Sequence, residues 1–107
     1  DENDFRYSNL KIINPYFGVE RIDKNGTEHY KVRIHIHGNI TVGNYTKAIG
    51  AAIAYNKAVD LAHQAGISKN FPENYIEELS ASSYADIYQQ ISLSPKYLSY
   101  LKGLPRK

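Results

Sequence analysis

The most regular alternation of apolar and polar residues in this sequence lies between His29 and His37. Every second residue is apolar, and the residues between them carry basic or imidazole side chains. A period of two is typical of a β-strand with one buried and one exposed face. The apolar face contains Tyr30, Val32, Ile34 and Ile36, and the polar face contains His29, Lys31, Arg33, His35 and His37.

Turn signals on both sides of this strand predict two neighbouring strands. Asp23–Gly26 ends in Asn-Gly, the pair that best tolerates the positive φ angles of a tight hairpin turn. Gly38-Asn39 makes a second short turn. We therefore expect further strands at Phe17–Ile22 and Asn39–Tyr45, paired with the central strand in an antiparallel sheet.

An alanine-rich segment after the third strand predicts a helix. The helix is expected to begin near Thr46, as its N-cap, and to run to about Ala65, with Gly66 as its C-terminal cap. Its alanines allow close approach to a sheet. The predicted fold class is α+β, with a three-stranded antiparallel sheet packed against one α-helix and additional C-terminal helices. Because one helix covers one face, the cation-bearing face should stay open to solvent.

The last third of the chain predicts the additional helices. A proline precedes Glu73–Leu79 and can open the first of them. Ser80 or Ser82 can cap a second helix, and Ser94-Pro95 can open a third. Apolar residues recur in these segments at helical spacing: Tyr84, Ile87, Tyr88, Ile91, Tyr97, Leu98 and Leu101. They either fold onto the sheet and enlarge its core, or form a surface for a partner.

Composition narrows the class of protein. The length of 107 residues suits one domain, and the absence of cysteine excludes disulfides and thiolate zinc sites. No apolar run approaches the roughly 20 residues of a membrane helix. We expect an intracellular protein with no membrane partner, located in the cytoplasm or nucleoid of a bacterial or phage system or in a eukaryotic nucleus. The lack of methionine predicts a piece of a longer protein.

Net charge alone indicates little about partners. Thirteen basic and eleven acidic residues give a formal charge of +2, which is low for a nucleic-acid-binding domain. A basic surface must therefore come from the way the strands orient their side chains.

Signals for catalysis are poor. The glycines between residues 38 and 43 lack the lysine and serine or threonine that end a phosphate-binding loop. His35 and His37 place two imidazoles on one strand face, but no third metal ligand is evident. We expect a protein that is not an enzyme and that uses no cofactor and no metal.

Five short fragments occur in order between residues 15 and 72. They are Tyr16-Phe17-Gly18-Val19, Tyr30 followed by Ile34, Val42-Gly43-Asn44-Tyr45, Ala51-Ala52-Ile53-Ala54-Tyr55-Asn56 and Asn70-Phe71-Pro72. As an ordered set they resemble the AP2/ERF DNA-binding domains of plant transcription factors and of phage and bacterial HNH homing endonucleases.

The resemblance implies a division of the chain and a function. Residues 1–14 would form an N-terminal arm, 15–72 an AP2-like domain and 73–107 a helical extension. The free face of the sheet would read double-stranded DNA in the major groove, as the targeting module of a transcription regulator or mobile-element protein. One alternative is an arm-type DNA-binding domain of an integrase. Another is a protein-interaction or dimerisation module that uses the Tyr-rich C-terminal helices, between two copies or within a larger chain.

Periodicity and the resemblance together give a predicted DNA-binding set. It comprises Phe17, Glu20, Arg21, Lys24, His29, Lys31, Arg33, His35, His37, Asn39, Thr41 and Lys57. Arg33 can pair with a guanine edge and Asn39 with adenine. Lys24, Lys31 and Lys57 are expected to contact phosphates, which position a protein without reading sequence.

The sequence also departs from the plant members of the family. Those proteins carry arginine at the positions of Phe17, Glu20, His35 and Asn39, tryptophan at Thr41, and often glutamate at Arg33. The plant preference for GC-rich sites therefore is not expected here. Phe17 can instead contact a thymine methyl group or pack on a neighbouring strand.

Overall fold

The computed structural model describes residues 16–104, apart from the side chain of Lys24. The predicted N-terminal arm, residues 1–14, lies outside this range. The elements are β1 (Val19–Lys24), β2 (Thr27–His35), β3 (Asn39–Tyr45), α1 (Ala48–Gln64), α2 (Ala81–Gln90) and α3 (Pro95–Lys102). The strands form one antiparallel sheet in the order β1-β2-β3. The predicted α+β fold class is confirmed.

Backbone conformation at two glycine-containing turns sets the length of β1. Asn25 and Gly26 have φ angles of 53° and 80°, as a tight hairpin requires. At the other end, Gly18 has a φ of 73°. A Cβ at Gly18 would overlap the ring of Tyr55 and lie 2.9 Å from the Arg33 carbonyl oxygen. The chain turns at this glycine, so β1 begins two residues later than the sequence predicts.

The inner face of the sheet packs against α1. Val32, Ile34 and Val42 are at most 1 % exposed and contact the alanines of the helix in one core. Alanine at these positions brings the helix close to the sheet, because it adds only a methyl group. The predicted helix is confirmed, although its N-cap is Lys47, without a side-chain capping bond, rather than Thr46.

The C-terminal helices share that core. Leu93, Tyr97 and Leu101 are buried in the same cluster as the sheet, and the Tyr97 hydroxyl donates to the Ala58 carbonyl oxygen at 2.6 Å. Of the two uses expected for the predicted apolar residues, enlargement of the core is confirmed for Tyr97 and Leu101, whereas Leu98 is 38 % exposed. The core crosses the boundary drawn at residue 72, so packing does not separate the two predicted parts.

The helix predicted over Glu73–Leu79 is wrong, since this segment forms only a turn, with the Leu79 N–H bound to the Ile76 carbonyl at 3.3 Å. Its backbone is held by a side chain instead: Asn74 donates its N–H to Asn56 Oδ1, and its carbonyl accepts from Asn56 Nδ2, both at 2.8 Å.

The predicted caps of the later helices are confirmed, because Ser80 and Ser94 accept bonds from the backbone of the first turns of α2 and α3. Among the described residues, no helix is long and apolar enough to cross a membrane.

Candidate nucleic-acid interface

Strand register defines which side chains share the outer face of the sheet, the face turned away from α1. Residues directly opposite each other in paired strands lie on the same face. Glu20 pairs with Lys31, and Lys31 with Asn44. The remaining pairs of this face are Ile22 with His29, Arg33 with Thr41 and His35 with Asn39. The outer face thus brings together seven predicted residues, namely Glu20, His29, Lys31, Arg33, His35, Asn39 and Thr41.

Arg33 lies at the centre of this face and is paired with a carboxylate. Its Nη2 donates to Glu20 Oε1 at 2.7 Å, and the two side chains are 43 % and 54 % exposed. An ion pair this exposed contributes about 0–1 kcal/mol. The pair therefore orients the guanidinium across the first strand while leaving it free to exchange Glu20 for another acceptor.

A second polar pair lies at the end of the sheet. His35 Nδ1 is 3.3 Å from Asn39 Oδ1, and both side chains are exposed. His37 follows β2 in the turn and lies beside the segment Gly66–Lys69 rather than within the strand row. Within residues 16–104, no cluster of three or more potential metal ligands occurs.

A bulge in β3 brings a residue to the outer face that the sequence prediction missed. Val32 pairs with Gly43 while the next residue, Arg33, pairs with Thr41. Val42 is therefore the extra residue of a β-bulge. Regular alternation after Thr41 would turn Gly43 outward, but the bulge turns Asn44 outward beside Lys31 instead. The available signal was the glycine within the strand, which often marks a bulge.

A second missed residue is Tyr55 of α1, which reaches the edge of the outer face. It is buried beneath Gly18 and lines a cleft together with Arg33, His35 and Asn39. Burial raises the pKa of the Tyr55 hydroxyl, so this group stays neutral and able to donate a hydrogen bond. The cleft lies at the start of β1, where Gly18 and Val19 also line it.

Phe17 directly precedes Gly18 in the chain and is held by its main chain. Its N–H donates to Asn74 Oδ1 at 2.6 Å, and its carbonyl accepts from Asn74 Nδ2 at 3.1 Å. The ring itself is 53 % exposed. Asn70 of the Asn70-Phe71-Pro72 fragment is exposed, whereas the nearby Asn74 is buried and bonded to Asn56.

Two residues of the predicted set, Arg21 and Lys57, make their described contacts away from the outer face. Arg21 pairs with Tyr30 on the inner face and binds Glu28, lowering the pKa of that carboxyl group through the hydrogen bond. Lys57 donates to the carbonyls of Tyr88 and Ile91 at 2.9 and 3.0 Å, which ties the end of α2 to α1. Lys24 is the last residue of β1, and the structure does not describe its side chain.

Comparison with protein-family models, with curated proteins and with solved structures gave no match to this chain. The observed topology, a three-stranded antiparallel sheet followed by a helix packed on it, is compatible with an AP2-like fold.

Proposed function

We propose that this protein binds double-stranded DNA in a sequence-directed manner, with the outer face of its sheet in the major groove. The observation that carries the proposal is the exposure of Arg33 and its polar neighbours, while the described helices pack on the other side of the sheet. The AP2-like interpretation of the sequence agrees with this use of the fold.

The dimensions of the sheet support the proposal. Three strands with neighbouring axes about 4.8 Å apart span about 10 Å, and the major groove is about 12 Å wide. The row from His29 to His35 extends about 20 Å at about 3.4 Å per residue. A strand of that length lying in the groove passes several successive base pairs, since the rise along the DNA axis is about 3.4 Å per step.

The chemistry of the face supports separate roles for its residues. Arg33 offers a planar donor fork suited to the two acceptors on a guanine edge. Asn39 and Asn44 carry amides that can pair with adenine. Lys31, on the central strand, carries an ammonium group that can bind a phosphate. Glu20 has two uses, since its carboxylate can keep Arg33 oriented or accept a bond from cytosine.

The protein-interaction alternative has less support in the structure. Tyr97 is fully buried, and the Tyr88 hydroxyl donates to Asp60 Oδ2 at 2.6 Å. These contacts use the tyrosines within the fold. Tyr75, which is 82 % exposed, and Leu98 remain on the surface, but they do not make a continuous helical stripe. The integrase alternative is also a DNA-binding function. It differs only in the kind of protein to which the domain would belong.

The direct test is selection of bound sites from randomised duplexes, followed by titration of the selected site at several salt concentrations. Enrichment of one sequence is expected, with affinity falling steeply as salt rises, because bound cations displace counterions from DNA. Lys31→Ala should reduce the slope of log affinity against log salt by about 1, the loss of one phosphate contact.

Lys57→Ala is the matched control for that titration. It removes the same charge from a lysine whose ammonium is bound inside the fold, so the salt slope should equal that of the unaltered protein. Failure to enrich any sequence, or equal slopes for the two lysine variants, would contradict the proposal.

A further inference from the structure

The bulge in β3 lies where the connection between α2 and α3 meets the sheet. β3 is an edge strand, and its extra residue, Val42, interrupts the pairing with β2. Both carbonyls at this point are bound by a single residue of the α2–α3 connection. The Ser94 N–H donates to the Val42 oxygen at 2.7 Å, and the Ser94 hydroxyl donates to the Thr41 oxygen at 3.0 Å.

Consecutive carbonyls of a regular strand point to opposite sides, so one residue cannot bind both of them. The two bonds to Ser94 therefore fit the bulged backbone and not a regular one. Ser94 is itself fixed in place, because its hydroxyl oxygen accepts from the Tyr97 N–H at 3.2 Å. The first turn of α3 is in turn buried through Tyr97.

The position of the bulge determines which side chains of β3 lie on the outer face. With the bulge, Thr41 and Asn44 both lie on the outer face, opposite Arg33 and Lys31. A regular strand after Thr41 would turn Asn44 toward α1 and place Gly43 outward, because a slip of one residue reverses the face of every side chain that follows.

We infer that Ser94 is a positioning residue for the candidate interface: its two bonds hold the β3 bulge, so that the C-terminal helices set which side chains the third strand offers to DNA. The inference rests on the proposed function and deepens it. The segment after residue 90 would then affect DNA recognition without contacting DNA itself.

Ser94→Asp separates this role from helix capping. Aspartate is as good an N-cap as serine and can accept from the Tyr97 N–H, but its carboxylate has no proton to donate to the Thr41 carbonyl. Ser80→Asp is the matched control, because Ser80 caps α2 with an equivalent bond to Ser83 and its described bonds stay within its own turn.

Two readouts are compared for the full chain: the amide NMR signals of residues 41–45, and the base preference of the selected duplex. Ser94→Asp should move those signals and lower affinity for the selected site roughly tenfold, the size of one lost base contact. The lost preference should fall at the base pairs affected by Asn44→Ala, while binding to random duplex stays within about twofold. Ser94→Thr, which keeps the hydroxyl, should restore both readouts.

Unchanged signals at residues 41–45 in Ser94→Asp would overturn the inference, as would moved signals with an unchanged base preference. Equal effects of the Ser94 and Ser80 variants would also overturn it, since they would indicate general destabilisation. If the unaltered protein enriches no sequence, the proposed function fails; the hold of Ser94 on the bulge is then decided by the amide signals alone.

Discussion

The two faces of the sheet are made from alternate residues of the same strands, yet they differ in what they contact. On the inner face, Val32 and Ile34 are at most 1 % exposed and pack against α1. On the outer face, Lys31 and Arg33 alternate with them in sequence and contact mainly polar neighbours. Folding is therefore stabilised by one face, and the other is free to carry function.

The same comparison can be made between two arginines. Arg21 and Arg33 are 42 % and 43 % exposed, and each is paired with a carboxylate. They differ in face: Arg21 aligns with Tyr30 on the inner side, and Arg33 with Thr41 on the outer side. Exposure and charge therefore do not distinguish a candidate DNA contact in this fold, whereas its position in the strand register does.

The largest expected effect is the loss of stability when a buried side chain of the inner face is truncated. Ile34→Ala removes a fully buried side chain, and such truncations lower the free energy of unfolding by about 2–5 kcal/mol. The neighbouring Arg33→Ala should change it by less than about 1 kcal/mol, because an exposed ion pair contributes little. Urea denaturation measures both. Similar losses from the two variants would contradict the division between the faces.

The buried asparagine pair should give the next largest effect. Asn56→Ala leaves the Asn74 N–H and carbonyl unpaired in a buried position, which costs about 1–3 kcal/mol. Asn70→Ala, at an exposed position in the Asn70-Phe71-Pro72 fragment, should change the free energy of unfolding by no more than about 0.5 kcal/mol. Denaturation of both variants decides which asparagine holds the fold.

Alkaline pH should lower the stability of the folded protein through a buried tyrosine on the inner face of the sheet. Burial raises the pKa of Tyr45 to about 12, whereas an unfolded tyrosine loses its proton near about pH 10. The folded state keeps this proton longer, so stability should be constant below about pH 10 and fall as the pH rises toward 12. Tyr45→Phe should flatten that fall in urea denaturation, and Tyr75→Phe, at an exposed position, should not.

Periodicity was enough to predict the sheet, because hydrophobic alternation in β2 and the Asn25-Gly26 turn are local signals. It was also enough to place Lys31 and Arg33 together on the outer face. The position of Asn44 depends on a bulge held by Ser94, about fifty residues later in the chain. A contact at that separation leaves no periodic signal in the strand itself.

Two further errors have a similar physical origin. Glu73–Leu79 has helix-forming residues, but the backbone N–H and carbonyl of Asn74 within it bond to the Asn56 side chain, and tertiary contacts override local propensity. Lys57 is basic and close in sequence to the tyrosine at the edge of the face, yet it projects toward α2. The direction in which a helical residue points relative to a sheet is decided by how the helix packs.

The most direct measurement is binding of the selected duplex by Arg33→Ala and Arg21→Ala, compared with the unaltered protein at one fixed salt concentration. Arg33→Ala should weaken binding by about 1–3 kcal/mol and relax the preference at one base pair. Arg21→Ala, which removes the same charge at the same exposure from the inner face, should change affinity by less than about 0.5 kcal/mol. Equal losses from the two arginines would show that the register of the sheet does not define the DNA-binding surface.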